Sequence, residues 1–157
     1  MIDKRAIVSA LRAQLADEIE TMARLAREAA EAASHPENKP ENDKDMRSTE
    51  ASYVARGQAA RVEELSNALA MLNGMEIRAC NSVELSALVE LRHKNIMTLC
   101  LVVPAAGGRK ARVEGVEITA VTTSTPLGRA LDGLSAGDEA EVETPAGPKI
   151  YAVVSVR

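Results

Sequence analysis

The side chains best suited to chemistry in this sequence are four carboxylates in one short segment, Glu37, Glu41, Asp43 and Asp45. They stand in the run His35-Pro36-Glu37-Asn38-Lys39-Pro40-Glu41-Asn42-Asp43-Lys44-Asp45. Carboxylate oxygens can hold a metal ion, but Asn, Asp and Pro in such a run also suit the backbone of a solvated turn. Taken alone, the segment therefore indicates an acidic turn.

Cysteine and histidine are too sparse to indicate a second site. A zinc site or a disulfide scaffold needs several ligands or cysteines at close spacing, whereas Cys80 and Cys100 are isolated. Both are expected to be structural thiols. His35 has no second His or Cys near it in the sequence, so it is interpreted as a surface turn residue.

Composition and charge exclude several classes of function. The 157 residues include no Trp, no Phe and two Tyr, which disfavours stacking platforms for single strands and aromatic-lined pockets. The net charge of -4 disfavours independent binding to DNA or RNA, which requires a cationic face. No apolar run approaches the roughly 20 residues that span a bilayer, and residues 1–11 lack the plan of a secretory signal. A cytoplasmic protein without a membrane partner is expected.

Helical periodicity flanks the acidic turn on both sides. Residues 3–34 lack Gly and Pro and place apolar residues every three or four positions, with Asp3 as a suitable N-cap. The pattern resumes by Arg47 and ends after Leu72 at Asn73-Gly74. Two helices of matched length joined by a polar turn should pair, because neither can otherwise bury its apolar stripe. Residues 1–75 are therefore predicted to form an antiparallel helical hairpin, a coiled coil, with its tip at about residues 35–46.

After Met75 the pattern changes to short strands separated by turn residues, which predicts a second domain over residues 76–157. Strands are predicted at residues 83–91, 96–103, 116–121, 139–144 and 149–156. Between the third and fourth strands, a short helix is predicted with Thr125 as N-cap, Pro126 at the first helical position and Gly133 at the stop. The predicted fold class is α+β, a helical hairpin followed by a small antiparallel β domain with one short helix.

A longer motif begins in this short helix. It reads Thr125-Pro126-Leu127-Gly128-Arg129-Ala130-Leu131, followed by Gly133, Gly137-Asp138, Val142, Thr144-Pro145, Gly147 and Val153. The series resembles the C-terminal domain of the GreA/GreB family of transcription elongation factors. There a Ser-Pro-(Ile/Leu)-x-Arg-Ala-Leu helix is followed by Gly-Asp, a strand, a Thr-Pro-x-Gly turn and a last strand. The order and length of the preceding elements agree over nearly the whole chain.

The resemblance implies a C-terminal domain of FKBP-like fold that docks on the core of RNA polymerase, at the rim of its secondary channel, while the hairpin reaches inward. Polymerase-binding residues implied by the motif are Thr125, Pro126, Leu127 and Arg129. The expected partner is therefore RNA polymerase, bound by a protein that is expected to be a monomer.

In cleaving members of the family, two acidic residues at the tip help to hold a magnesium ion beside the polymerase's own carboxylates, and the polymerase then hydrolyses its backtracked transcript. By this resemblance Glu41 is the first candidate for that catalytic role, followed by Glu37, Asp43 and Asp45, with Glu41 and Asp43 as metal ligands. The protein alone would hold magnesium weakly or not at all.

The tip also departs from the family pattern. Cleaving factors carry Asp-x-x-Glu-Asn-Ala-Glu-Tyr, whereas Glu37 and Glu41 stand four positions apart rather than three. Two interpretations stay open, a stimulator of transcript cleavage and a channel-blocking regulator that does not cleave. In neither case is the protein an enzyme by itself.

Two more distant alternatives are a prolyl isomerase and a generic coiled-coil adaptor. An FKBP-like isomerase site encloses proline with several aromatic rings, whereas residues 76–157 contain one aromatic residue, Tyr151. An adaptor would leave the motif between Thr125 and Gly147 unexplained.

Overall fold

The computed structural model describes residues 1–35, 37 and 47–157. Packing contacts divide the chain into two compact units, one formed by Met1–Ala13 with Ala70–Arg157 and the other by Gln14–Leu69. The domain boundary between residues 75 and 76 was predicted from the change of sequence pattern from helix to strand. It stays a prediction.

Two long helices occupy the first half of the chain, as predicted: α1 spans Lys4–Ser34 and α2 spans Arg47–Asn73. Asp3 caps α1, because its Oδ1 accepts a hydrogen bond from the Arg5 amide at 2.9 Å. At the C-terminal end of α2, the Gly74 amide donates to the carbonyl of Ala70 at 3.0 Å. None of the described helices is long and apolar enough to cross a membrane.

The two helices run antiparallel, since contacts join early residues of α1 to late residues of α2. In the first unit, Arg12 Nη2 donates to the carbonyl of Leu72 at 2.8 Å. In the second unit, the Arg61 guanidinium forms an ion pair with Glu18 at 3.0 Å. Leu15 and Leu65 are buried there. The antiparallel hairpin is confirmed, while regular coiled-coil packing stays a prediction.

In the described part of the chain, six strands and a short helix follow the hairpin, which confirms the α+β class. The strands are β1 Leu88–His93, β2 Ile96–Val102, β3 Lys110–Val113, β4 Val116–Val121, β5 Glu139–Thr144 and β6 Gly147–Val156, and helix α3 spans Pro126–Leu131. They form one sheet in the order β3-β4-β2-β1-β6-β5. Strand β6 therefore lies inside the sheet, between β1 and β5.

The sheet differs from the prediction in two places. Neighbouring strands are antiparallel except for β2 and β4, which are parallel, so the sheet is mixed. The parallel pairing results from the presence of β3. The sequence pattern did not predict this strand, because only Ala111 among its four residues is buried. It forms the edge of the sheet, and a turn at Glu114 and Gly115, with φ of 52° and 80°, brings β4 back between β3 and β2.

Strand β1 begins at Leu88 rather than at residue 83. Residues 83–87 form a loop instead, in which the Val83 amide donates to the Leu134 carbonyl at 2.7 Å. Ser86 has a φ of 80°, a left-handed conformation that interrupts a strand. Val83 and Ala87 of this loop are nevertheless buried, although Leu85 is exposed, which is why the segment resembles a strand in sequence.

One face of the sheet packs against α3. Its core contains buried residues from five of the six strands, together with Leu131 of α3 and both cysteines: Cys80, Val83, Ala87, Val89, Leu91, Cys100, Val102, Val121, Leu131, Ala140 and Val153. Neighbouring strand residues, which point to the opposite face of the sheet, are also buried. They include Leu88, Leu101 and Ile118. The same compact unit contains the buried Ile7 and Leu72, so the first turns of α1 and the end of α2 belong to the folded unit that contains the sheet.

Lys4 fixes the first turn of α1 within this unit. Its Nζ donates to the carbonyl oxygens of Ser86 at 2.9 Å and Arg157 at 3.0 Å, and also to that of Arg78. Desolvation by burial lowers the pKa of Lys4 below its usual value. One ammonium group thus joins three separate stretches of the chain.

Candidate functional site

Most of the predicted acidic tip is not described by the structure. Glu41, Asp43 and Asp45 lie outside the described residues, whereas Glu37 is described and exposed. The Glu37 amide donates to Nδ1 of His35 at 3.2 Å. Within residues 1–35, 37 and 47–157, no group of three or more His, Cys, Asp or Glu side chains is arranged to hold a metal ion. The catalytic and metal roles assigned to the tip stay predictions.

The second group of predicted site residues lies on α3 and is fully described. Thr125 is the N-cap, as predicted, with φ of -81° and ψ of 157°. Its Oγ1 accepts a hydrogen bond from the Gly128 amide at 3.1 Å and donates to the carbonyl of Thr122 at 2.8 Å. Pro126 occupies the first helical position and is exposed. Thr125 therefore has a structural role that is complete without a partner protein.

Gly128 brings α3 against the preceding loop. A Cβ at this position would lie 1.9 Å from the carbonyl oxygen of Thr122 and 2.7 Å from its carbonyl carbon, which are impossible contacts. Glycine is thus required by close packing, although its φ is not left-handed. The sequence alone offered no signal for this, because a glycine inside a helix is ordinarily only a weak helix former.

Two leucines of the motif face the core. Leu131 is fully buried, and Leu127 is partly buried against the same cluster. Leu127 was predicted to bind polymerase, and the structure gives it a packing role within its own unit. Any surface that it offers to a partner is limited to its exposed part.

Arg129 is exposed, and its guanidinium folds back toward the start of α3. Its Nη1 donates to the carbonyl of Ser124 at 2.6 Å. No carboxylate among the described residues forms an ion pair with it. Arg129 is thus the charged residue of α3, and its side chain stays exposed although one hydrogen bond holds its head group to the backbone.

Most of the remaining residues of the motif have structural explanations. Gly133, Gly137 and Gly147 adopt φ values of 78°, 99° and 104°, which favour glycine. Asp138 Oδ2 accepts from the Ser135 amide at 2.7 Å, and Thr144 Oγ1 donates to the carbonyl of Gly147 at 2.6 Å. Most of the motif thus encodes a fold, and Pro126 and Arg129 are its surface residues on α3.

Two residues before the motif, Thr122 and Ser124, were not predicted to take part in the site. Thr122 Oγ1 and Ser124 Oγ are 2.8 Å apart and share a hydrogen bond, and Thr122 is only 9% exposed. The available signal was the run Thr122-Thr123-Ser124-Thr125, since hydroxyl side chains before a proline favour a local turn. These residues determine the path of the backbone that holds Arg129.

Both cysteines lie in the core as free thiols. Burial raises the pKa of Cys100 to about 11. A thiol that stays protonated at neutral pH is a poor nucleophile and a poor metal ligand. The interpretation of Cys100 as a structural thiol therefore agrees with its surroundings.

Comparison with known proteins gives structural neighbours only. No protein-family model matches the sequence, and no curated protein matches it. Gfh1, the GreA factor homolog 1 of Thermus thermophilus, is 18% identical over 93% of this chain and 94% of that chain, with a TM-score of 0.35. Thermus aquaticus Gfh1 is 20% identical over 92% of both chains, with a TM-score of 0.39.

The prokaryotic transcription elongation factor GreA/GreB from Nitrosomonas europaea is 19% identical. The match covers 68% of this chain and 91% of the Nitrosomonas europaea chain, with a TM-score of 0.36. The structural neighbours are thus Gfh1 and GreA/GreB factors, the group that the motif resembles. Each of these three structures has a TM-score below 0.5, so these likenesses carry no functional conclusion for this chain.

Proposed function

We propose that this chain is a regulator of transcription elongation that binds core RNA polymerase, with residues 76–157 docking outside the secondary channel and the hairpin entering it. The observation that carries the proposal is the exposed Arg129, anchored at the start of α3 within a motif whose other residues are largely explained by folding. An exposed, pre-oriented arginine is a common anchor of protein interfaces.

Affinity comes mainly from the β domain in this proposal. The surface around α3 combines Pro126 with Arg129, both exposed, on a rigid helix that is capped and packed against the core. The hairpin is rich in Ala and offers less apolar anchor area. Its contribution is to reach the channel interior rather than to hold the complex together.

The acidic tip would supply the regulatory chemistry. Its donors, the carboxylates of Glu41 and Asp43, match the preference of magnesium for hard oxygen ligands, and Glu37 is exposed beside them in sequence. A magnesium ion held there beside the polymerase's own carboxylates would position and activate water. The protein itself contributes ligands and no complete active site, so it acts as a factor and not as an enzyme.

The spacing of the acids favours the second form of the proposal, a regulator that occupies the channel without cleaving. Magnesium requires nearly octahedral coordination, so shifting one carboxylate by a residue along a turn changes whether two ligands can meet. Glu37 and Glu41 are separated by four positions instead of three.

A stalled polymerase complex tests the proposal. Transcript cleavage and elongation are measured on the same complexes at fixed magnesium, with wild type, Glu41→Ala and a variant in which Glu37, Glu41, Asp43 and Asp45 are all neutralised. A cleaving factor should lose stimulated cleavage in Glu41→Ala and keep its affinity for polymerase, because the carboxylate acts at the reacting centre. A channel blocker should inhibit elongation without stimulating cleavage, both as wild type and as either variant.

Binding is tested separately with Arg129→Glu. This reversal should weaken affinity for core polymerase by at least about tenfold, since the cost of replacing a fully engaged charge exceeds about 1.4 kcal/mol. Arg92→Glu, an exposed arginine of β1, is the matched control and should bind normally. Wild type that shows no affinity for polymerase would refute the proposal, and cleavage that survives neutralisation of all four acids would eliminate the tip.

A further inference from the structure

The face of the sheet that points away from α3 is left partly open. Its inner row, represented by Leu88 and Leu101, is fully buried. Further along the same face, Met97 is 49% exposed, Val116 is 40% exposed and Leu99 is half-buried. Apolar side chains exposed next to one another on a sheet mark a surface that a partner covers. We define the open strip as Glu90, Arg92, Met97, Leu99 and Val116.

Strand pairing places the open strip in two adjacent rows. In the register of β1 and β2, Glu90 is opposite Leu99, and Arg92 is opposite Met97. The register of β2 with β4, extended by two residues, brings Val116 to the row of Met97. Residues two apart along a strand point to the same face, so both rows face the same way. The strip thus presents a carboxylate and a guanidinium side by side on one strand, next to apolar side chains.

These two charges lack partners of opposite sign in their own chain. Within the described residues, neither Glu90 nor Arg92 forms an ion pair. Glu90 is half-buried and accepts one long hydrogen bond, from Ser155 Oγ at 3.3 Å. Glu139 lies on the same face but on the edge strand β5, one strand beyond Ala152. Covering a charge without a counterion is costly, so an occupant of the strip has to bring a cation to Glu90 and an anion to Arg92.

A second copy of this chain meets both requirements at once. A two-fold axis that runs between two such faces, across the strands and midway between the rows, exchanges the two rows. Glu90 then faces Arg92 of the second copy, and Arg92 faces its Glu90, so two ion pairs form. Met97 faces Leu99 of the second copy in the same way. Two-fold interfaces are self-complementary in this manner, whereas a polyanion such as RNA would bring no cation to Glu90.

The space in front of the open strip can receive side chains of that second copy. A cavity of about 670 Å³ opens there, and its lining includes Glu90, Met97, Leu99 and Val116 together with Ile2. Met97 of the second copy would enter this cavity opposite Leu99. Methionine suits such a space, because its unbranched chain adapts to irregular gaps.

We propose that this chain forms a homodimer through the open strip, with reciprocal ion pairs between Glu90 of one copy and Arg92 of the other. The inference is independent of the proposed function, and it differs from the monomer expected from the family resemblance. Helix α3 packs against the opposite face of the sheet, so the dimer leaves Arg129 uncovered.

Sedimentation velocity tests the proposal by measuring the dimer Kd of wild type, Glu90→Lys, Arg92→Glu and an equimolar mixture of the two variants. Wild type should dimerise with a Kd on the order of 10 µM. Each reversal alone should raise the Kd at least about tenfold, because like charges then meet twice. In the mixture, one variant brings two positive charges and the other two negative charges. The heterodimer therefore contains only attractive pairs and should form about as tightly as the wild-type dimer.

Two further variants serve as controls, and circular dichroism verifies that each protein is folded. Arg129→Glu reverses an exposed arginine on α3 and should leave the dimer Kd unchanged. Glu90→Gln removes the charge but keeps the shape, so its Kd should rise about threefold. This milder variant decides the role of Glu90 if Glu90→Lys does not fold. Because Arg92→Glu should still bind polymerase normally, failure of this inference and failure of the proposed function give different results.

Several results would overturn the homodimer. Wild type that stays monomeric at about ten times the expected Kd would do so. So would a folded reversal that dimerises as well as wild type, an unchanged Kd in Glu90→Gln, or two folded reversals that do not associate when mixed.

Discussion

Gly128 and Gly57 are two helical glycines in opposite surroundings. At Gly128 an added Cβ would meet the Thr122 carbonyl, which is backbone and cannot move aside like a flexible side chain. At Gly57, in α2, an added Cβ would meet nothing within 4 Å. The first glycine is required by tertiary packing, whereas the second only weakens its helix.

We therefore expect opposite results from the same substitution. Gly128→Ala should lower the free energy of unfolding by about 1–3 kcal/mol, since α3 has to move away from the loop that it packs against. Gly57→Ala should raise it by up to about 1 kcal/mol, because Ala is the better helix former. Urea denaturation of both variants checks the pair. An unchanged midpoint for Gly128→Ala would contradict the packing described for α3.

Cys100 should make the stability of the fold depend on pH in the alkaline range. Burial raises the pKa of its thiol from 9.0 to about 11, so between these values the folded state keeps a proton that the unfolded state has lost. Stability should consequently fall as pH rises from 9 to 11, by no more than about 3 kcal/mol.

The contribution of Cys100 is isolated by comparison with Cys100→Ala. Other groups also titrate in this range, but they do so in both proteins. Urea midpoints at pH 8 and pH 10 should show a larger loss for wild type than for the variant. Equal losses would show that the thiol has no part in the alkaline dependence.

Lys4 connects elements that are far apart in the sequence. Its ammonium group is shared by the carbonyls of Arg78, Ser86 and Arg157, at the start of the β domain, before β1 and after β6. The helix thus contributes to the order of the sheet through a polar contact as well as through the buried Ile7 and Leu11.

Replacement of Lys4 by Met should leave three carbonyl oxygens without this donor. We expect the free energy of unfolding to fall by about 1–2 kcal/mol, mainly because the part-buried Ser86 carbonyl loses its donor, whereas the contacts to Arg78 and Arg157 are exposed and their carbonyls accept other hydrogen bonds. Arg5→Met, an exposed neighbour on the same turn, is the control and should stay within about 0.5 kcal/mol of wild type. Equal effects of the two substitutions would show that the Lys4 contacts contribute nothing specific.

Elements with strong periodicity or clear capping residues could be predicted from sequence. Both long helices, the cap at Thr125 and the helix α3 follow directly from local chemistry. Strand β3 could not be predicted, because a four-residue edge strand with one buried side chain has no pattern of its own. The parallel pairing of β2 with β4 depends on that strand and was missed with it.

The candidate site was predictable only in part, for a similar reason. The motif identified Arg129, but its orientation depends on Ser124 and Thr122, whose hydroxyl contact exists only after the loop has folded. The need for glycine at position 128 likewise arises from the backbone carbonyl of Thr122, which lies before α3 in the chain. Helix propensity takes no account of such a contact.

The compact unit that contains the sheet also includes both ends of the hairpin. Residues 1–13 and 70–75 belong to it together with the β domain. A fragment of residues 76–157 therefore lacks part of its own core, including the buried Leu72 and Met75.

We expect this fragment to unfold at a clearly lower temperature than the full chain. A variant that joins Ala13 to Ala70 through a short Gly/Ser linker should recover most of the loss, because the contact between Arg12 and Leu72 shows that the two ends are close. Thermal denaturation followed by circular dichroism tests both. If the fragment is as stable as the linked variant, the helix ends are not needed for the fold.

The overall charge leads to a separate expectation. With a net charge of -4 and two aromatic residues, the protein should not bind duplex DNA or single-stranded RNA at moderate salt. A gel shift should show no complex with either. Tight binding that weakens as salt rises would instead indicate a nucleic-acid-binding protein.

The central position of β6 has a consequence for synthesis on the ribosome. The sheet cannot close until residues 147–156 have been made, since β6 joins β1 to β5. The buried residues of the first turns of α1 emerge long before that strand, and the unit to which they belong is still incomplete. Nascent chains should therefore expose this apolar surface throughout most of translation, which makes them substrates for ribosome-associated chaperones.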